Sequence, residues 1–295
     1  MMLVEHISHT AHWMAYVRAV ESERANALFH DPYSRKLAGT FGEEAANTIG
    51  AVDAIANSIA IRTAVLDRLI LETITQHDID LVLNIGCGLD TRPWRLQWPA
   101  QLCWRDIDLP ELLQHKARVL ENDPPTCRYE AVPANILNLS QRAAALSLPT
   151  DARRALVVTE GLLVYLRPNQ VELLAVDLHR QPQCQWWLTD LVGPKVLPIL
   201  RQVWAPRLPG LRFDFAPVDS PEFFVRTGWR EVAFHSAREE ARRLKRPMPM
   251  SCLARLGLML GTPSFREEFR RLAGVAVLTR VNEPDRETTT SATPP

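Results

Sequence analysis

The sequence predicts an α/β protein: a mostly parallel, seven-stranded sheet with helices on both faces, preceded by an N-terminal helical lobe. Three observations predict it. Residues 1 to about 78 read as helical throughout, residues 79 to about 192 alternate short apolar runs with helical ones, and the run from Leu81 to Ile85 leads straight into Gly86-Cys87-Gly88 and a helix start at Arg92. Alternating strand and helix patterns mark crossover units, which build parallel sheets. A strand–Gly-x-Gly–helix junction brings backbone close to a ligand, because glycine has no Cβ and the following helix begins with unpaired N–H groups.

In chain order, a first helix is expected near 9–28 and a short one after Asp31-Pro32. A long helix near 52–77 follows from Ile55, Ile59, Leu66, Leu69 and Ile70, which fall close to helical spacing. Strands are read at 81–86, 103–107, 128–132, 155–159 and 185–190, with helices near 92–97, 110–121, 139–147 and 168–180. Pro110 and Pro168 fall in first turns, where a missing N–H is no loss. Beyond 193 the prolines at 194, 198, 206, 209, 217 and 221 break up an irregular insertion over about 193–225. Two late strands, near 231–236 and 274–281, then close the sheet. The expected division is a helical lobe over 1–78, an α/β domain over 79–282, and a disordered Thr- and Pro-rich tail over 283–295.

Composition narrows the class. A chain of 295 residues, 46% hydrophobic, can bury a sizeable core. Lys+Arg and Asp+Glu balance at 34 each, which argues against a nucleic-acid surface. No apolar run reaches the roughly 18 residues that span a bilayer, and the N-terminus lacks the basic start and apolar core of a signal peptide. Cysteines 87, 103, 127, 184 and 252 are scattered, odd in number and without C-x-x-C, so they read as reduced thiols. A cytoplasmic protein with neither membrane nor nucleic-acid partner is expected. His6, His9 and His12 recur every third residue, but metal ligation wants tighter convergence and no metal is expected. The charged run 238–246 reads as a solvated helix face.

The ligand is narrowed by spacing. Asp108 lies 20 residues beyond Gly88, after a second apolar run, Leu102-Cys103-Trp104. That position suits a carboxylate at the tip of the next parallel strand, placed to hold ribose hydroxyls. A dinucleotide fingerprint wants a third glycine for the pyrophosphate. Here Thr91 takes that place, and Asp90 before it would repel a pyrophosphate. S-adenosylmethionine has no phosphate and carries a sulfonium and an ammonium, so it is favoured over NAD or FAD. The plainer reading is a tight turn that binds nothing. Arg62 lies in the mostly apolar run from Ile59 to Leu66 and needs a partner. A fork onto the cofactor carboxylate would supply one; snorkelling or an internal ion pair are the alternatives.

The string Asn84-Ile85-Gly86-Cys87-Gly88-Leu89-Asp90-Thr91-Arg92 resembles the leucine carboxyl methyltransferase family, which includes bacterial polyketide O-methyltransferases and whose members carry an N-(L/I)-G-(A/C)-G-L-D-T-R block. Further segments agree in order: Glu21-Ser22-Glu23-Arg24 leading to Asp31-Pro32-Tyr33, Ile61-Arg62-Thr63, Asp106-Ile107-Asp108-Leu109-Pro110, the run from Glu160 to Leu166, and Thr227-Gly228-Trp229-Arg230. The resemblance covers roughly residues 10 to 280 and implies the Rossmann-like fold of class I S-adenosylmethionine-dependent methyltransferases.

It also implies roles. Gly86 and Gly88 would let the methionine part lie across the turn, and Glu160, at the carboxyl edge of the fourth strand, would stand against the same end. Asp108 rather than Asp106 would take the ribose, because it directly precedes the apolar–Pro pair. Capping of the next helix is its alternative role. Arg18 is a second cation for the cofactor carboxylate. The family reads adenine with an Asp-Leu pair, replaced here by Asn135-Ile136, a departure that exchanges a carboxylate for an amide. Tyr165 is either an acceptor-pocket residue or a core tyrosine, and His30 is a candidate base.

The expected activity is O-methylation of a small-molecule carboxylate or hydroxyl, of the polyketide or other secondary-metabolite kind. A carboxylate needs no base, whereas a phenol gains from one. The alternatives are methylation of a protein C-terminal carboxylate, a non-catalytic adenosine-binding protein, and an NAD-dependent oxidoreductase.

Overall fold

The computed structural model describes residues 2–49, 53–148, 152–204, 212–246, 248 and 260–281. Three helices come first: α1 (Met2–Ser22), α2 (Ser34–Ile49) and α3 (Asp53–His77). The first stops at Ser22 rather than near Leu28, because the connecting loop takes its last side chains. Leu28 N–H donates to Glu21 Oε1 at 2.9 Å and Asp31 N–H donates to Ser22 Oγ at 2.8 Å. The helix after Asp31-Pro32 extends to Ile49 but is kinked at Gly39, whose φ of 57° and ψ of −167° are not helical, so the piece directly after Asp31-Pro32 is short, as expected. It starts where Asp31 Oδ1 accepts from the N–H groups of Tyr33 and Ser34, and it packs along α1.

The sheet has seven strands: β1 (Leu81–Ile85), β2 (Cys103–Asp108), β3 (Arg128–Pro133), β4 (Ala155–Thr159), β5 (Cys184–Val192), β6 (Trp229–Ser236) and β7 (Ala273–Arg280). Their order is β3-β2-β1-β4-β5-β7-β6, with β7 antiparallel to both of its neighbours. Between them run α4 (Arg92–Arg95), α5 (Pro110–Val119), α6 (Leu139–Ala145) and α7 (Pro168–His179). Every residue of β1, β2 and β4 is buried, the pattern of parallel strands covered on both faces.

Alternate side chains go to opposite faces. Leu83, Ile85, Val157 and Trp187 pack with Leu174 and Leu178 of α7 on one side. Val82, Trp104, Leu156 and Leu188 pack on the other with Ile61, Leu66, Leu69, Ile70 and Ile74 of α3. Each such aliphatic side chain contributes roughly 1.5–3 kcal/mol by leaving water. Register aligns the strand ends: Ile85 opposite Ile107, Asp108 opposite Pro133, Thr159 opposite Thr189. Gly86, Asp108, Glu160 and Asp190 therefore emerge side by side at one edge.

Two further sequence expectations need correction. The insertion after residue 193 holds two helices, α8 (Leu197–Trp204) and α9 (Ser220–Val225). Pro198 and Pro221 sit in first turns, where proline begins a helix instead of breaking one. The run 238–246 carries α10 (Ala237–Arg243), but its charges are not all solvated. Glu240 is buried and accepts from Arg68 at 2.9 Å and Arg243 at 2.6 Å, while buried Arg246 reaches Glu21 at 2.8 Å. A further helix, α11 (Pro263–Arg270), lies outside the elements the sequence pattern predicts, although Thr262 caps it by accepting from Phe265 N–H. The expected tail, 283–295, and Cys252 lie outside the described residues. Among those residues no helix is long and apolar enough to cross a membrane.

Candidate functional site

The turn after β1 needs its glycines. Gly86 has φ 66° and Gly88 φ 51°, in the left-handed region that side chains avoid. A Cβ on Gly86 would also meet Leu162 Cδ1 at 2.9 Å. Gly86 N–H donates to Ile107 O at 2.8 Å, and Gly88 N–H donates to Asp108 Oδ2 at 2.6 Å. The turn is thus pinned to the end of β2.

The two aspartates of β2 do different work. Asp106 is fully enclosed below the turn and accepts from Asn84 Nδ2 (3.0 Å), Trp104 Nε1 (2.9 Å), Lys116 Nζ (2.7 Å) and Tyr129 OH (2.9 Å). Asp108 lies at the surface of a cavity, with one oxygen accepting from Gly88 N–H and the other from Leu109 N–H at 2.7 Å. A carboxylate has about four acceptor sites, so each oxygen keeps capacity beyond the bond it accepts. The capping alternative does not describe it: the cap position of α5 is Leu109, and no side chain caps that helix. Burial pushes the Asp108 carboxyl above its ordinary range, although two backbone N–H groups oppose the shift.

Beside the turn runs a ladder of ion pairs. Arg18 and Arg95 approach Asp31, Arg95 and Arg92 share Asp67, Arg92 holds Asp90 and Glu160, and Arg62 holds Glu160 and Asp190. The shortest contacts are Arg95–Asp67 at 2.6 Å and Arg92–Asp67 and Arg92–Asp90, both at 2.7 Å. Burial alone would raise the carboxyls of Asp90 and Glu160. The arginines overcome it and hold both below their ordinary range. Four guanidiniums face five carboxylates, leaving one formal negative charge in excess.

Each residue expected at the site can now be placed. Arg18, Arg62, Gly86, Gly88, Asp108, Asn135, Ile136 and Glu160 all line one cavity of about 1120 Å³ at the carboxyl edge of the sheet. Their states differ from the simplest expectation. Arg62 is held by an internal ion pair: Nε donates to Glu160 at 3.1 Å and Nη1 to Asp190 at 2.9 Å. Arg18 Nη2 donates to Leu89 O at 2.6 Å, bracing the turn. Both Glu160 oxygens accept from arginines, Arg62 and Arg92. Asn135 is exposed and its Oδ1 accepts from Leu137 N–H at 3.0 Å, while Ile136 O accepts from Arg142. Asp90 does not stand as a bare charge at the helix mouth, because Arg92 pairs with it at 2.7 Å.

Another stretch of the cavity wall is largely apolar, with Arg212 and Asp214 on either side of its Phe213. Trp13, Met14, Val164, Tyr165, Leu200, Trp204 and Phe213 line it, from α1, the turn after β4, α8 and the segment beyond. Trp13 meets Trp204 edge to face at 4.9 Å, and Tyr165 tilts against Phe213 at 5.3 Å. Burial pushes the Tyr165 phenol up to about 12. His30, the candidate base, is exposed beside Ser22 and absent from this wall. His235 lines the cavity from β6, with Nδ1 3.3 Å from Glu240. Sequence reasoning also missed Asp190, because nothing local distinguishes that aspartate from any other strand residue. His12, at the end of the histidine series, packs against His115 and points Nδ1 at Ala38 O.

The cavity is compatible with an S-adenosyl compound: the left-handed glycine turn and Asp108, 20 residues beyond Gly88, both line it, and the acidic excess of the ladder matches a cationic ligand. Comparison with known proteins agrees. A family model of leucine carboxyl methyltransferase matches residues 11–178. A candidate S-adenosyl-L-methionine-dependent methyltransferase of Streptomyces coelicolor is 31% identical over 255 residues, covering 81% of this chain and 88% of its own. Another, of Streptomyces avermitilis, is 29% identical over 275 residues, covering 88% and 91%. Among solved structures, a DUF574 family protein of Streptomyces avermitilis has a TM-score of 0.55 over 92% of this chain and 97% of its own, at 12% identity, a likeness of fold. A candidate methyltransferase of Thermobifida fusca gives 0.51 over 91% and 94%, at 15% identity. With the motif order, the cavity and these matches in agreement, the chain belongs to the leucine carboxyl methyltransferase family and is an S-adenosylmethionine-dependent methyltransferase.

Proposed function

We propose that the protein transfers the methyl group to an oxygen, carboxylate or hydroxyl, of a small apolar molecule of the secondary-metabolite kind. The observation that carries this reading is the two-part cavity. At about 1120 Å³ it exceeds the roughly 300–1000 Å³ of a pocket for one small ligand. One part is charged and the other lined by aromatic and aliphatic side chains, so a second, apolar molecule fits beside the donor. In this reading Asp108 takes the ribose hydroxyls, Arg62 and Arg18 face the donor carboxylate, Glu160 stands near its ammonium, and Asn135-Ile136 flank the adenine.

The donor supplies an already activated methyl group. The chain's residues then have to orient, approach and exclude water, and such positioning accounts for a large share of rate acceleration. The Gly86–Gly88 turn and Asp108 fix one reactant, while Tyr165, Trp204 and Phe213 shape the space for the other. A carboxylate acceptor arrives ionised. A phenol would have to lose its proton, and His235, oriented by Glu240, is the histidine of the cavity wall that could take it.

The test is incubation with methyl-labelled S-adenosylmethionine and a panel of aromatic and aliphatic acids and phenols. Label released by mild alkali marks an ester; label that persists marks an ether. Labelling of a peptide ending in a leucine carboxylate but of no small molecule would overturn the small-molecule reading. Binding of S-adenosylmethionine with no transfer to any acceptor class would point to a non-catalytic member of the family.

A further inference from the structure

Asp190 ends the ion-pair ladder at the cavity wall. Among the described residues Asp31, Asp67 and Glu160 are each shared by two arginines, whereas Asp90 and Asp190 each pair with one, Arg92 at 2.7 Å and Arg62 at 2.9 Å. Its other oxygen accepts from Gly161 N–H at 2.6 Å. A carboxylate has about four acceptor sites, so capacity remains. The residue lines the cavity and keeps 15% of its side chain exposed there, next to Glu160 across the β4–β5 register. Arg62 is the cation expected to face the donor carboxylate, yet its Nη1 is held by Asp190. A ligand carboxylate forking onto the Nη1–Nη2 edge meets that competitor directly. The amino-acid end of the donor carries both charges, so it can replace one ion pair by two.

We propose that Asp190 is a donor-binding residue acting by exchange of partners: the donor carboxylate displaces it on Arg62, and the freed Asp190 carboxylate accepts from the donor ammonium. The exchange keeps the charges compensated throughout. It makes the amino and carboxylate groups of the donor mutually dependent, because each vacates the partner of the other. The proposal rests on the donor assignment above.

Arg62→Ala is a poor test, since it strands Glu160 and Asp190 together without their cation. Asp190→Asn is better: the amide oxygen can still accept from Gly161 N–H. Two probes are titrated calorimetrically, S-adenosylhomocysteine and its analogue with hydrogen in place of the amino group. The variant should bind S-adenosylhomocysteine about fivefold or more weakly, having lost a charged acceptor. It should bind the deaminated analogue about twofold or more tightly, because the competitor for Arg62 is gone. This reversal of sign is the signature of exchange. Equal weakening for both probes would make Asp190 a structural brace, and no change for either would put it outside the donor site; either overturns the proposal. The wild type gives a check that needs no variant: loss of the amino group should weaken binding about tenfold or more, and a loss under about twofold would overturn it. Failure of the wild type to bind S-adenosylhomocysteine at all would instead overturn the donor assignment, and the exchange with it.

Discussion

Around Gly86 and Glu160 the cavity wall is a lattice of charge-assisted hydrogen bonds on aligned strand ends. Around Trp13 and Trp204 it is an apolar sleeve made by helices and a loop far apart in sequence. The first end recognises by charge and fixed donors, so each group has a set place and removing one leaves another uncompensated. The second recognises by shape and burial, where a changed side chain leaves space rather than an unpaired charge. A donor common to many methyltransferases suits the first construction, and a particular acceptor suits the second. The ladder also makes the polar end structurally expensive to alter, which the apolar end is not.

The strongest way to break this contrast is at Arg92, buried among Asp67, Asp90 and Glu160. Arg92→Met removes their shared cation, and breaking a buried ion pair from one side costs about 3–5 kcal/mol. Urea unfolding should show a loss of that size; a loss under about 1 kcal/mol would mean that the ladder is relaxed by water. Acid probes the same feature. Asp90 and Glu160 titrate below their ordinary range when folded, so their contribution is present above the unfolded values, near about 4, and is lost as pH falls through the folded ones. The melting temperature should therefore fall on acidification below about pH 4–5, less steeply in Arg92→Met.

A second test separates the neighbouring aspartates. Asp108 titrates above its ordinary value, so its stabilising contribution is present below the unfolded value and is lost as pH rises through the folded one. At neutral pH its ionised form is a cost to the fold. Asp108→Asn should thus lower affinity for S-adenosylhomocysteine about tenfold or more while leaving the unfolding midpoint equal or higher. Asp106→Asn should do the reverse, because it strands the buried Lys116. If both variants lose affinity equally with no loss of stability, the division between a buried anchor and a cavity carboxylate fails.

Smaller effects sharpen the picture. Asn135→Asp should tighten donor binding by roughly 0.5–1.5 kcal/mol if this residue accepts from the adenine amino group. A donor analogue lacking that amino group should show no gain, and equal gains with both would remove Asn135 from the adenine site. Leu200→Ala, in the apolar sleeve, should change donor affinity by less than about twofold while shifting the preferred acceptor toward bulkier molecules. A large loss of donor affinity there would show that the two ends are not separate.

The sheet and the polar turn are legible along the chain. The run Leu81 to Arg92 carries its own strand, its own left-handed glycines and the start of its own helix, and Asp108 follows at the distance one crossover requires. Such information is local, or repeats at one fixed spacing, so it can be read along the chain. What each charge does depends on which side chains the fold brings together. Arg62, Arg92, Asp67, Glu160 and Asp190 come from four elements and loops, and only their convergence turns Arg62 from a lone buried cation into one held by two carboxylates. Likewise Asp106 and Asp108 differ by a single pleat: the first reaches Lys116 and Tyr129 under the turn, the second the open cavity. Trp13 and Trp204 became cavity walls because α1 and α8 meet there, and no pattern in either helix specifies its partner. Pair interactions at long separation depend on packing between elements, and it is packing that a linear pattern does not contain.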